Sequence, residues 1–163
     1  MKLRVGQGLD VHRWIEGRPL MLGGIHVPND RGLLGHSDAD VLLHAIIDAL
    51  LGAAGLGDIG RLFPDTDPNY AGIDSKILLA TVKEKIQMQG WHILNVDATI
   101  ICQRPKLAPY MPDMAKTIAA ILGIDVTTVN VKATTTEKLG FTGRNEGVAS
   151  QAVVLLLAGT GAD

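Results

Sequence analysis

In the stretch Asp10-Val11-His12, a carboxylate and an imidazole stand two residues apart in β-prone sequence. On a strand, side chains at i and i+2 share a face, so this pair can grip one cation. A second concentration of polar groups lies in "GHSDADVLLHAIIDALLG", residues 35–52. There Val41, Leu42, Ala45, Ile46, Ala49 and Leu50 repeat with the spacing of a packed helix face, while Ser37, Asp40, His44 and Asp48 recur on another. A polar stripe is ordinarily just solvated, and Ser37 or Asp38 is then an ordinary N-cap. Adding His44 to Asp10 and His12 changes the reading. Two nitrogens and one oxygen with no thiolate, leaving a fourth position open, is the pattern of a catalytic zinc. Ser37 and Asp48 then line the same pocket. His26 and His92 have no such company and are read as ordinary.

Two further stretches are dense in polar groups. "GDIGRLFPDTDP" carries Asp58, Asp65 and Asp67 in a long Gly/Pro/Asp-rich loop directly after the helix. Each aspartate alone is a turn cap, but loops of this length inside a compact domain are usually functional, which points to a substrate loop. "VKATTTEKLGFTGRNEG" follows Thr134, Thr135 and Thr136 with Glu137, then glycines and Arg144. Threonines suit a strand end. The same hydroxyls and backbone N–H groups also suit phosphate oxygens, with Glu137 as a hard oxygen ligand for magnesium or manganese. In "CQRPKLAP", Lys106 sits between two prolines, where a point charge can pair with phosphate. Gly6 and Gly8 begin a G-x-G, but Val11 stands where the third glycine of a dinucleotide fingerprint belongs and no helix follows.

The elements that must hold these groups alternate. "LRVGQGLDVH" predicts a strand ending near His12, and "PLMLGGIHVP" a short hairpin partner broken by Gly23 and Gly24. Helices are expected over about 38–53, from Asp74 or Ser75 to Gly90, and from the prolines near 109–112 to Gly123. Strands are expected in "WHILNVDATIICQ", "TVNVKATTT" and "GVASQAVVLLLAG". This interleaving implies an α/β (α+β) sandwich, a mixed sheet with helices on one face, in a single domain over 1–163. A net charge of −2 and a pI near 6.2 exclude the basic footprint of a general nucleic-acid binder. The run "AVVLLLAG" is too short to span a bilayer. A single cysteine, Cys102, allows no internal disulfide, and the N-terminal residues have no secretory pattern, so a cytoplasmic protein is expected.

"GQGLDVHR", "LLGHSDADVLLHAIIDALLGAAGLGDIGRLFPDTD" and "VNVKATTTEKLGFTGRNEGVA" together resemble the 2-C-methyl-D-erythritol 2,4-cyclodiphosphate synthase family, from about Lys2 to Leu157. Leu9 and Gln7 depart from its usual phenylalanine and histidine, away from any proposed ligand. The resemblance implies zinc on Asp10, His12 and His44, and magnesium or manganese on Glu137. It implies that Asp10, Val11, His12, His36 and Ser37 meet substrate. Asp58, Ile59 and Gly60, with Phe63, Pro64, Asp65, Thr66 and Asp67, would hold its methylerythritol part. Cys102, Gln103, Arg104, Pro105, Lys106, Leu107 and Ala108 would hold cytidine and phosphate, and Thr134, Thr135, Thr136 and Glu137 the diphosphate. His36 and Thr135 would steady the transition state. The family's reaction cyclises a cytidylyl diphosphate substrate with release of CMP in the non-mevalonate isoprenoid route, in a homotrimer with shared sites. Phe141 and Arg144 would either meet an isoprenoid diphosphate in an axial cavity, or serve as a core ring and one end of a surface salt bridge. Two rivals use the same residues: a zinc-dependent phosphohydrolase, and a non-catalytic binder of metal and isoprenoid diphosphate.

Overall fold

A computed structural model describes residues 1–159. Five strands form one sheet in the order β4 (Arg31–Leu33), β1 (Leu3–Glu16), β7 (Gly147–Ala158), β5 (Trp91–Ile101), β6 (Val129–Thr134). β5 and β6 are parallel and the other pairings antiparallel, so the sheet is mixed. β2 (Leu20–Leu22) and β3 (Ile25–Val27) pair with each other around Gly23 and Gly24 in a separate two-stranded sheet, where the sequence suggested a hairpin partner broken by those glycines. The helices lie on one face, as expected. α1 (Val41–Ala54) packs on β1 and β7, α3 (Ser75–Met88) on β5, and α4 (Met111–Leu122) on β6.

β1 runs four residues past the expected end at His12, because Trp14 to Glu16 pair with β4, a strand too short to show in the sequence. α1, α3 and α4 leave the opposite face of the sheet uncovered. Along β1, Gly6 and Gly8 are buried under α1, whereas Val5, Leu9 and Val11 are exposed on the other side, joined by Val153 of β7.

α1 is a core helix, not a surface one. Twelve of its residues are buried, which leaves only Asp48 and Gly52 in reach of solvent. Its N-cap is Asp40, not Ser37 or Asp38. Asp40 is fully buried and accepts from Leu43 N at 3.0 Å and from Gly23 N and Gly24 N at 3.0 and 2.7 Å. Its place in the polar stripe is therefore structural: it satisfies three buried donors and pins the hairpin to the helix. Burial pushes its carboxyl up, against the pull of those N–H groups.

The failed dinucleotide motif has a packing role. A Cβ on Gly6 would come within 1.9 Å of Ala49 O, and one on Gly8 within 2.0 Å of Ala45 O. Only hydrogen at these two positions lets α1 lie directly on β1. That approach brings His44, the neighbour of Ala45, over the Asp10-x-His12 face.

Candidate metal centre and flanking cavities

Asp10 and His12 project from the helix-covered face of β1, and His44 from the first half of α1. Among the described residues these three form the one cluster suited to a metal. Asp10 Oδ2 lies 2.9 Å from His12 Nε2 and 3.1 Å from His44 Nδ1, and the two ring nitrogens are 3.2 Å apart. Tetrahedral bonds of about 2.0–2.1 Å place ligand atoms roughly 3.3 Å apart, so the triangle needs little adjustment around zinc.

The outer partners fix which atoms face inward. His12 Nδ1 donates to Leu34 O at 2.7 Å, which turns the Nε2 lone pair toward Asp10. His44 Nε2 reaches Ser75 Oγ at 2.8 Å and Ser37 Oγ at 3.1 Å, which turns the Nδ1 lone pair the same way. Three acceptors then converge on one point. That arrangement fits a cation better than any hydrogen-bonding scheme among the three. With no metal between them and the imidazoles protonated, the same atoms form hydrogen bonds instead: burial acts to raise the Asp10 carboxyl, but hydrogen bonds and charge from His12 and His44 outweigh it and lower the pKa to about 2. Burial acts to lower His12, and Asp10 more than reverses it, leaving the imidazole raised.

The triad opens on a cavity of about 460 Å³. Of the expected substrate residues it is lined by Asp10, His12, His36, Ser37, Ile59, Gly60, Phe63 and Asp65. Leu34, Gly35, Tyr70, Ile73 and Leu78 also line it and were not expected. Tyr70 packs edge-on against Phe63, ring centroids 5.3 Å apart, an aromatic pair that sequence distance hides. The loop between α1 and α3 contains α2 (Ile59–Leu62) and a 3₁₀ turn at Pro68–Tyr70. Asp58 caps the first and Asp67 the second, so for these two the turn-cap reading describes what the side chains do. Pro64, Thr66 and the Asp67 side chain do not line the cavity. Asp48 is not in the lining either; it accepts from Ile59 N at 2.7 Å and anchors the loop. His36 donates to Asp67 O at 2.9 Å, closing the other end of the loop over the cavity.

A second cavity of about 300 Å³ lies where the parallel strands β5 and β6 end. Cys102, Gln103, Pro105, Lys106, Leu107, Ala108, Thr134 and Thr135 line it, with Met111 and Ala133. Arg104, Thr136 and Glu137 do not. Cys102 is buried and its thiol pushed up to about 11 by that burial, which suits a packing residue and not a nucleophile. Glu137 and Lys138 both have positive φ, 53° and 66°, a costly pair of non-glycine conformations that exposes the Glu137 carboxylate.

The two cavities are apart within one chain. Asp10, Ser150, Ile100 and Ala133 form one row across the sheet, three strand spacings or roughly 14 Å from end to end. Glu137 is therefore not brought to the triad. A third cavity, about 550 Å³, holds Val11 and Phe141 beside Arg13, Trp14 and Arg31. Phe141 is exposed rather than core, and Arg144 pairs with Glu146 at 2.9 Å instead of lining that cavity.

The family model of the YgbB family matches residues 3–157. The chain belongs to the YgbB family. Among curated YgbB relatives, the 2-C-methyl-D-erythritol 2,4-cyclodiphosphate synthase of Geobacillus thermodenitrificans is 63% identical over 153 residues, covering 94% of this chain and 96% of that protein. The synthase of Neisseria gonorrhoeae is 58% identical over 155 residues, covering 95% and 97%. Of solved structures, the bifunctional IspDF of Campylobacter jejuni superposes with a TM-score of 0.93 at 46% identity; the match covers 96% of this chain and 42% of that one. The IspF of Plasmodium falciparum, solved as a CDP complex, superposes at 0.85 with 36% identity, covering 97% of each. The YgbB fold thus extends over both cavities and the triad. Among the described residues no helix is long and apolar enough to cross a membrane.

Proposed function

We propose that this chain, acting as one domain over 1–163, converts 4-diphosphocytidyl-2-C-methyl-D-erythritol 2-phosphate into 2-C-methyl-D-erythritol 2,4-cyclodiphosphate and CMP, a lyase step toward isoprenoid precursors in the cytoplasm. The observation that carries this reading is the convergence of Asp10, His12 and His44 beside a cavity, in a chain 63% identical to a protein of that name.

The substrate's 2-phosphate attacks the β-phosphorus. A new P–O–P bond closes the ring, the bond from the β-phosphorus to the bridging oxygen breaks, and that oxygen leaves with CMP. The nucleophile is already an anion, so the site needs no general base. The protein's task is to position and to neutralise charge. Zinc on Asp10, His12 and His44 and magnesium or manganese on Glu137 supply, when bound, Lewis-acid neutralisation of the diphosphate oxygens. Ser37 Oγ accepts from Ala39 N and does not donate to His44 Nε2, whose proton goes to Ser75, so the Ser37 hydroxyl proton is left to donate to a phosphate oxygen. His36 and the loop residues from Asp58 to Asp67 enclose the methylerythritol part. Lys106, Thr134 and Thr135 hold the nucleotide's phosphates, and Thr135 would meet the developing charge. Folding a flexible chain toward a ring gains from this confinement.

The two half-sites lie toward opposite flanks of one sheet, and the uncovered sheet face exposes Val5, Leu9, Val11 and Val153. A head-to-tail ring of three chains buries that face and sets the β6 flank of one chain against the β1 flank of the next. Phe141 and Arg144 then lie toward the axis, where an isoprenoid diphosphate would meet ring and guanidinium.

Incubation with the cytidylyl substrate, zinc and Mg²⁺ in ¹⁸O-water, followed by mass analysis, tests the reaction. The expected products are CMP and a cyclic diphosphate without ¹⁸O. A linear product carrying ¹⁸O would make the chain a phosphohydrolase, and binding without turnover a non-catalytic protein.

A further inference from the structure

Next to His44, outside the cavity lining, stand two groups that the reaction does not use. Ser75, the first residue of α3, is fully buried and its Oγ lies 2.8 Å from His44 Nε2. Ser75 Oγ donates in turn to Asp38 Oδ1, and Ser75 N donates to Asp38 Oδ2 at 3.0 Å. Asp38 Oδ1 also accepts from Asp40 N at 3.1 Å, so the carboxylate is held by backbone on both sides.

The polarity of this chain is forced. An ionised carboxylate only accepts, so the Ser75 hydroxyl proton points to Asp38. The Ser75 oxygen then offers lone pairs to His44, whose Nε2 must carry the proton. The Nδ1 lone pair is left facing Asp10 and His12. We propose that Asp38 and Ser75 are positioning residues that fix the tautomer and ring orientation of His44 and thereby set the affinity of the triad for its metal. The same two residues end the cavity loop: Asp38 N donates to Ile73 O, and Ser75 opens the helix that follows it. Metal occupancy and the set of that loop are therefore linked through one serine. This rests on the reading that the triad holds a metal.

The test measures zinc affinity of the full-length protein by competition with a chromophoric chelator, for wild type, Ser75→Ala, Asp38→Asn and the double variant, with Ser75→Thr to restore the hydroxyl. Outer partners of metal-bound histidines typically account for about 10–100-fold in affinity. Ser75→Ala is expected to weaken zinc by that factor and Ser75→Thr to recover most of it. The double variant should be no weaker than Ser75→Ala alone, because Asp38 acts through the serine. The Co²⁺-loaded variants should show a changed visible spectrum, a readout of ligand geometry. Zinc affinities within twofold of wild type, or losses that multiply in the double variant, would overturn the proposal. Lower melting temperatures at unchanged affinity would make the pair merely structural and overturn it too. Should the variants not fold, zinc-loaded wild type decides by NMR. A His44 Nε2 proton slow to exchange supports the chain, and a rapidly exchanging one refutes it. A wild type that binds no divalent metal would sink the metal reading itself, a result separate from any of these.

Discussion

The triad and the Thr134–Glu137 stretch differ in how much of their geometry the single chain supplies. His44 is buried, Asp10 and His12 half-buried, and both imidazoles are oriented by a second rank of partners. Thr134, Thr135 and Glu137 are exposed, and their hydroxyls bond mainly within the loop: Thr134 Oγ1 to Thr135 O, and Glu137 N to Thr135 Oγ1. One half of the site is preorganised by its own core. The other holds its groups in an exposed loop.

The largest effect is expected where the preorganised half is broken. His44→Ala should abolish stoichiometric zinc and lower turnover by about a thousandfold, the scale of several kcal/mol of Lewis-acid stabilisation. Elemental analysis and circular dichroism check that the metal goes and the fold stays. Full zinc in this variant would remove His44 from the site.

Glu137→Gln probes the open half and should do less. It should leave zinc in place and raise the Mg²⁺ or Mn²⁺ needed for half-maximal activity by about tenfold, because an amide is a poorer ligand for hard cations. Titration of activity against each metal measures this, and an unchanged requirement at normal activity would sink the assignment.

Mixing sharpens the comparison into a count. His44→Ala chains and chains with Lys106→Ala and Thr135→Ala are unfolded together in equal amounts and reassembled. A site that joins an intact triad to an intact nucleotide half from the next chain arises in roughly a quarter of random pairings. Recovery of about a quarter of wild-type activity is expected, against none in separately reassembled controls. Mixed trimers that stay dead would place both halves in one chain.

The smallest effect is a difference of slope. In the metal-free protein the raised His12 contributes stability that is present below pH 6.5 and lost as the pH rises through its folded value. The lowered Asp10 contributes stability present above pH 3.8 and lost as the pH falls toward about 2. Metal binding needs neutral imidazoles, so the zinc-loaded protein should instead gain as the pH rises through 6.5. Melting temperatures with and without zinc should diverge between pH 6 and 8, and parallel curves would deny the triad its metal.

The sequence by itself determined the chemistry on offer. Period-two placement put Asp10 and His12 on one face, helical spacing put His44 on a helix beside apolar neighbours, and long ordered blocks carried the family. Those signals are local, and local periodicity survives without coordinates. The tertiary structure decided what each group is for. Asp40, in the same stripe as His44, became a buried cap because the β2–β3 turn lies over it. Asp48 became a loop anchor, and Gly6 and Gly8 the floor on which α1 rests. Tyr70 and Ser75 joined the site across gaps that no repeat connects, Ser75 lying 31 residues from the histidine it orients. A hydrogen bond of that kind depends on where two helices meet, and helix packing is settled by side-chain volumes summed over the whole core, not by any one segment of the chain.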